Sequence, residues 1–175
     1  FAAERDRQRR IGAYRHMNIS AAGSAAGTAS RFPTNRGRVA ELMGFEKVST
    51  NTGDSSFKTD HLAEMGSAFA ILASGLEFLC EELILWMGNE FGLIRLADRY
   101  CSTSSIMTQK RNPTAAEHVQ RISKRVSGRI PTSYTAPELT STAREIVDAL
   151  TLCEGMVTTL TINRDRMLKH AVNSW

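Results

Sequence analysis

The chain has 175 residues and a formal net charge of +4, from 22 Lys and Arg against 18 Asp and Glu. Hydrophobic residues make up 42% and charged residues 23%, which excludes a disordered or fibrous chain and suits one domain, or one large piece of a bigger protein. No apolar run reaches the length of about 18 residues that a membrane span needs, and the opening Phe1-Ala2-Ala3-Glu4-Arg5 is too polar for a secretory signal.

The basic residues are spread from Arg5 to Lys169 rather than gathered in one block. Such an excess suits an anionic substrate, an acidic partner or a plain solvated face. Nucleic acid is not expected, because the Arg5–Arg10 cluster lacks interleaved aromatics and any reader motif. Cys80, Cys101 and Cys153 share no metal-ligand spacing. Cys80 and Cys153 fall in apolar helical patterns and read as small buried hydrophobes, with a reducing cytoplasm as the expected compartment.

In chain order, residues 2–17 read as a polar helix with Ile11, Tyr14 and Met17 or His16 on an apolar stripe. The run from Asn18 to Thr34 is rich in Ser, Ala and Gly. It is either a close-approach segment whose hydroxyls hold an anion or a linker. Arg36 to Met43 reads as a short helix ended by Gly44. Residues 50–56 are turn chemistry. Asp60 opens a long helix over 61–87, with Leu62, Met65, Phe69, Leu72, Leu76, Leu79, Leu83 and Trp86 at steps of three and four. Ala68, Ile71, Gly75 and Phe78 are expected to broaden that buried face.

Residues 98–115 break the periodicity as a polar loop. Helical patterning resumes near Thr114 and carries through Arg129, basic on one side, until Pro131 interrupts it. Residues 134–142 give no clear pattern. Ala143 to Thr161 is again helical, and Asn163 starts a last helix. The expected fold is all-α, a bundle of long helices.

The zinc, Walker, dinucleotide and nucleophile-elbow signatures are absent, so no metal and no cofactor is expected. Chemistry concentrates in Ser102–Pro113. Lys110 and Asn112 can bind a carboxylate by charge and amide hydrogen bond, and an activated serine can move a proton. The same residues also suit a serine-rich surface loop that caps the next helix.

The stretch Thr103-Ser104-Ser105-Ile106-Met107-Thr108-Gln109-Lys110-Arg111-Asn112-Pro113 resembles the signature loop of the fumarase, aspartase and argininosuccinate lyase superfamily, Gly-Ser-Ser-x-Met-Pro-x-Lys-x-Asn-Pro. Thr103 replaces the glycine and Thr108 the first proline. Arg36–Phe45, the pattern Asn51, Asp54 and Asp60, the segments Leu83–Trp86 and Glu90–Ile94, and Leu160–Arg166 also resemble family segments. The similarity runs along nearly the whole chain and is closest to the argininosuccinate lyase branch.

The resemblance implies a β-elimination that releases fumarate from a succinyl-type substrate. Ser104 would be the general base. Lys110, as its catalytic partner, and Asn112 would hold the aci-carboxylate, which carries two negative charges. Ser24, Thr28 and Asn51 would contact substrate. It also implies a homotetramer whose sites draw on several subunits, and that 1–175 is a portion of the central bundle. The upstream region with the family's histidine and the C-terminal domain would lie elsewhere, on a second polypeptide or in a longer chain. Counting back from Asp148-Ala149 places Thr140 and Ala143 where the family has glutamine and lysine, so residues 129–141 imply a related lyase, a different product, or a scaffold with reduced activity; the rival reading is a non-catalytic helical-bundle interaction or scaffold protein derived from the lyase fold.

Overall fold

The computed structural model describes residues 2–129 and 134–173. These contain seven α-helices and four strands of two residues each, so the all-α expectation holds. The described residues divide into two compact units. The first takes those within Phe1–Ala68 and Ile130–Thr140, the second those within Phe69–Arg129 and Ser141–Trp175.

Unit 1 begins with α1 (Ala2–Met17). Glu4 accepts from Arg7 and Gln8 one turn on, and Arg15 and His16 sit at the C-terminal end, where the helix dipole favours cations. The buried positions are Asp6 and Ala13, whereas Tyr14 is exposed. The small Ala13, not the ring beside it, forms the inward stripe. Strand β1 (Ile19–Ser20) pairs in parallel with β2 (Lys47–Val48), Ile19 opposite Lys47. The small-residue run between them is folded tightly. Gly23 has φ 77°, and a Cβ there would overlap the Arg36 side chain. Arg36 uses that space to donate to Ala22 O and Ser49 O, tying the run to the end of β2.

Helix α2 (Arg36–Met43) is capped by Asn35, whose Oδ1 accepts from Arg38 N, and ends at Gly44 with φ 78°, as its sequence predicts. Residues 50–56 are not only a turn. Asn51 Oδ1 accepts from Asp54 N and starts helix α3 (Thr52–Phe57). The same Asx chemistry that suggests a turn also caps a helix.

Helix α4 (Asp60–Met87) runs unbroken for 28 residues, about 42 Å at 1.5 Å per residue. In unit 2 it buries Leu72, Ala73, Leu76, Cys80 and Leu83 against α5 (Thr114–Ser127) and α6 (Ala136–Thr159). Helix α5 contributes Ala116, Val119, Ile122 and Val126, and α6 contributes Ile146, Ala149, Cys153 and Met156. Cys80 and Cys153 are free buried thiols with their sulfurs 3.9 Å apart, as expected of small core residues. The basic side of α5 meets acids on both neighbours: Lys124 pairs with Glu77 at 3.7 Å and Arg125 with Glu145 at 3.3 Å.

The broad buried face expected of α4 is narrower than its sequence suggests. Ala68 is buried, but Ile71, Gly75 and Phe78 are exposed. Helix α6 starts at Ala136, inside the stretch without a clear pattern, because Thr135 and Glu138 form a capping box: Thr135 N and Oγ1 both donate to Glu138 Oε2, at 2.8 and 2.7 Å. It stops at Thr159. Thr161, expected to be helical, lies in β4 (Thr161–Ile162), which pairs antiparallel with β3 (Ile94–Arg95). Helix α7 (Arg164–Asn173) follows its cap Asn163. The expected break at Pro131 lies outside the described residues. Among those residues no helix is long and apolar enough to cross a membrane.

Ser123 on α5 is fully buried and its hydroxyl has no hydrogen-bond partner. An unmet buried hydroxyl costs about 1 to 3 kcal/mol. Ser123→Ala removes it and improves helix propensity, so thermal unfolding should shift upward by about 2–4 °C. A lowered melting temperature by calorimetry would show that the hydroxyl is satisfied in solution.

Candidate active site

The signature loop belongs to unit 2. It is closed at its base by an isolated antiparallel bridge: Ser102 N donates to Asn112 O at 3.0 Å, and Asn112 N to Ser102 O at 2.8 Å. The Ser102 and Thr114 hydroxyls meet at 2.5 Å beside it. The loop therefore leaves and rejoins the fold at one point, immediately before the N-terminus of α5. That terminus favours negative charge near Asn112.

Inside the loop, Ser104 is half-buried, and its Oγ accepts from Ile106 N at 3.3 Å. Lys110 N donates to Met107 O, closing a turn, and the Lys110 side chain lines a cavity of about 750 Å³. Arg95, Gln109 and Arg111 supply further donors to the wall, and Ile84, Met87 and Met107 its apolar part. Ser104 is not among the residues lining that cavity. Ile106, at the loop's tip, is 90% exposed.

Arg111 moors the loop's second half. It donates to Leu96 O at 3.1 Å and pairs with the Asp98 carboxylate. That hydrogen bond and charge hold Asp98 below the usual carboxylate range, and Asp98 raises Arg111 in turn. Sequence reasoning missed both Arg111 and Asp98. No periodicity links them, and only Arg111's place between Lys110 and Asn112 hints at a role.

The remaining candidates lie in unit 1 and hold one another. Ser24 is buried, with its Oγ 2.9 Å from that of Ser55. Thr28 Oγ1 donates to Ala25 O at 2.8 Å, closing its own turn. Asn51 Oδ1 caps α3, and its backbone O accepts from Ser55 Oγ at 2.9 Å. Ser24 and Asn51 are thus joined through Ser55, while Thr28 is spent on its own segment. Among the described residues, no three His, Cys, Asp or Glu side chains are arranged to hold a metal ion.

Fold and loop together define the class. The lyase family matches residues 1–128, and the chain belongs to that family, within the fumarase, aspartase and argininosuccinate lyase superfamily. Argininosuccinate lyase from Methanocaldococcus jannaschii is 36% identical over 95% of this chain and 38% of its own length. That from Methanosphaera stadtmanae is 36% identical over 93% of this chain and 38% of its own. The chain thus spans under two fifths of the length of these relatives. Among solved structures, EDDS lyase in complex with formate superposes with a TM-score of 0.86 at 28% identity, over 95% of this chain and 36% of that one. A fumarate lyase:delta crystallin from Brucella melitensis, at 22% identity and a TM-score of 0.76 over 93% of this chain and 41% of its own, shares the fold.

Asp98→Asn should free Arg111 and loosen the loop, seen as several-fold faster tryptic cleavage after Lys110 and Arg111 at neutral pH. Acid should do the same to the unaltered protein. The lowered Asp98 stabilises the fold above the ordinary carboxylate pKa, and that contribution is lost as pH falls through the depressed value. Amide resonances of Ser102 and Asn112 that stay fixed through this range would refute the mooring.

Proposed function

We propose that this chain is the central helical part of a lyase that removes a leaving group from a succinyl-type substrate by β-elimination and releases fumarate. One observation carries the reading: a loop closed by Ser102 and Asn112 presents Ser104 and Lys110, with Lys110 facing a cavity large enough for a small ligand. The relatives named argininosuccinate lyase support it, as does an EDDS lyase variant with bound fumarate that superposes with a TM-score of 0.86 at 27% identity.

In this reaction Ser104, as its alkoxide, takes the proton from the carbon beside a carboxylate and becomes a neutral hydroxyl. The carboxylate gains a second negative charge in the transition state, and Lys110, Asn112 and the N-terminus of α5 offset it. The extra pair on the aci-carboxylate then forms the carbon–carbon double bond, and the C–N bond breaks with its pair leaving on the nitrogen of the departing group. Ser24, Thr28 and Asn51 contact or position substrate. Closure of the loop would exclude water, with the exposed Ile106 as its apolar edge.

The working form is a homotetramer in this reading. Ile71, Phe78 and Leu85 on α4 are 47%, 65% and 49% exposed and recur every seventh residue. That spacing makes one apolar stripe, the pattern of a helix with a helical partner. A second reading, a non-catalytic scaffold on the lyase fold, is favoured by the position of Ser104 outside the cavity lined by Lys110.

The test is fumarate release from argininosuccinate and from EDDS, followed by absorbance. Ser104→Ala should abolish turnover without loss of helical content or assembly. Lys110→Met should lower kcat by about 3 kcal/mol of transition-state stabilisation while moving substrate dissociation far less, as for loss of one oxyanion donor. Full activity in Ser104→Ala removes the serine from the reaction, and no activity on either substrate favours the scaffold.

A further inference from the structure

Unit 1 contains a second concavity, of about 360 Å³. The end of α1, the β1–β2 pair, the start of α3 and the start of α4 all contribute to its wall. Lys47 and Lys58 both line it, and among the described residues neither has a hydrogen bond or an ion pair through its ammonium group. Asp54 is the single acid on this wall, and it forms no ion pair with either lysine. On the lining itself Lys47 and Lys58 stand against Asp54 alone, and the acids Asp60 and Glu64 lie on the far side of His61 and His16, in the adjoining concavity. Like charges held together on a concave wall, with water partly excluded, concentrate the field on whatever enters.

The neighbouring polar groups also point to an anion. Asn51 Oδ1 is committed to capping α3, which leaves its amide nitrogen, a donor, for the cavity. The Ser49 and Ser55 hydroxyls both donate to Asn51 O and so hold the wall in place. His16 Nδ1 is engaged by Glu64 Oε2 at 2.7 Å, so His16 is a wall residue here and not one of the donors. His61 completes this side. The rest of the wall, Met17, Ile19 and Val48, is apolar, which suits a carbon skeleton better than a bare inorganic ion.

We propose that this cavity is a binding site for a small organic carboxylate, held by Lys47 and Lys58 with the Asn51 amide and seated on the apolar strand residues. The inference touches the proposed elimination only through Asn51, and binding here does not require turnover.

The probe is succinate, titrated into the protein by calorimetry and followed by amide shifts of residues 47–58. The site is the one reported by the amides of residues 47–58, whose shifts give its Kd apart from any binding beside Lys110. Because Lys47 and Lys58 are exposed, their variants should keep the helical content of the parent. Lys47→Met together with Lys58→Met should raise Kd about tenfold or more, a loss of about 1.4 kcal/mol. Lys169→Met, which removes a charge on α7, and Lys110→Met should both leave Kd unchanged. Equal weakening by Lys169→Met would reduce the effect to net charge, and equal weakening by Lys110→Met would place succinate in the other cavity. Either result overturns the site. Inorganic phosphate binding as tightly as succinate would overturn its organic part. Fumarate release without succinate binding at residues 47–58 sinks this inference and leaves the elimination standing, and binding without turnover does the reverse.

Discussion

Helix α4 has to satisfy two solvents along one rod, and much of unit 2 follows from how it does so. Leu72, Leu76, Cys80 and Leu83 turn toward α5 and α6 and are almost wholly buried. Their burial fixes the axial position of α5, because Val119, Ile122 and Val126 have nowhere else to pack. The N-terminus of α5 in turn fixes Thr114, Asn112 and the base of the signature loop. A shift of α4 by one residue would rotate its apolar stripe by about 100° and move the loop with it. The precision of the site is therefore inherited from hydrophobic packing some turns away rather than made within the loop, where Ile106 and Ser105 touch little.

The loop has its own, weaker restraints. A two-residue bridge, a serine–threonine contact and one arginine hold its two ends, while its tip is open to solvent. Exposed ion pairs contribute little individually, because water and salt screen them. Stable ends around a weakly held middle are what a segment needs if it is to close on a ligand and open again. Thr103 and Thr108, which stand where the signature has glycine and proline, act on this middle. A β-branched residue narrows the backbone choices at 103, and loss of the ring widens them at 108.

Much of the helical skeleton was legible because its signals are local. Asn35 and Gly44 bracket α2, Asp60 opens α4, and Asn163 caps α7, each by chemistry within a few residues. The signature loop was legible for the same reason, since its residues are contiguous. The strands were not, because two residues have no periodicity to read. The start of α6 was missed although Thr135-Ala136-Pro137-Glu138 is a capping box in plain sequence, masked by the absence of an apolar stripe around it. The exposure of Tyr14, Ile71 and Phe78 could not be read at all. Spacing shows which residues share a face, and only the neighbours decide whether that face is covered. Lys47, Lys58 and His16 were invisible as a group for a similar reason: they line one concavity only because distant segments, the end of α1, β2 and the end of α3, are brought together.

The pairing of Ile94 with Ile162 has a bearing on how the molecule comes into being. Asn163 N donates to Leu93 O at 2.8 Å, so the chain just before the signature loop is fastened to residues made much later. During synthesis α4, the loop and α5 leave the ribosome while Ile94 and Arg95 still lack a strand partner. An unpaired edge of that kind can pair with the wrong chain. Its shortness, two residues with a charged Arg95, is a safeguard during the interval. Assembly of the loop's surroundings is therefore a closing event, reached only when the end of α6 has emerged and folded back.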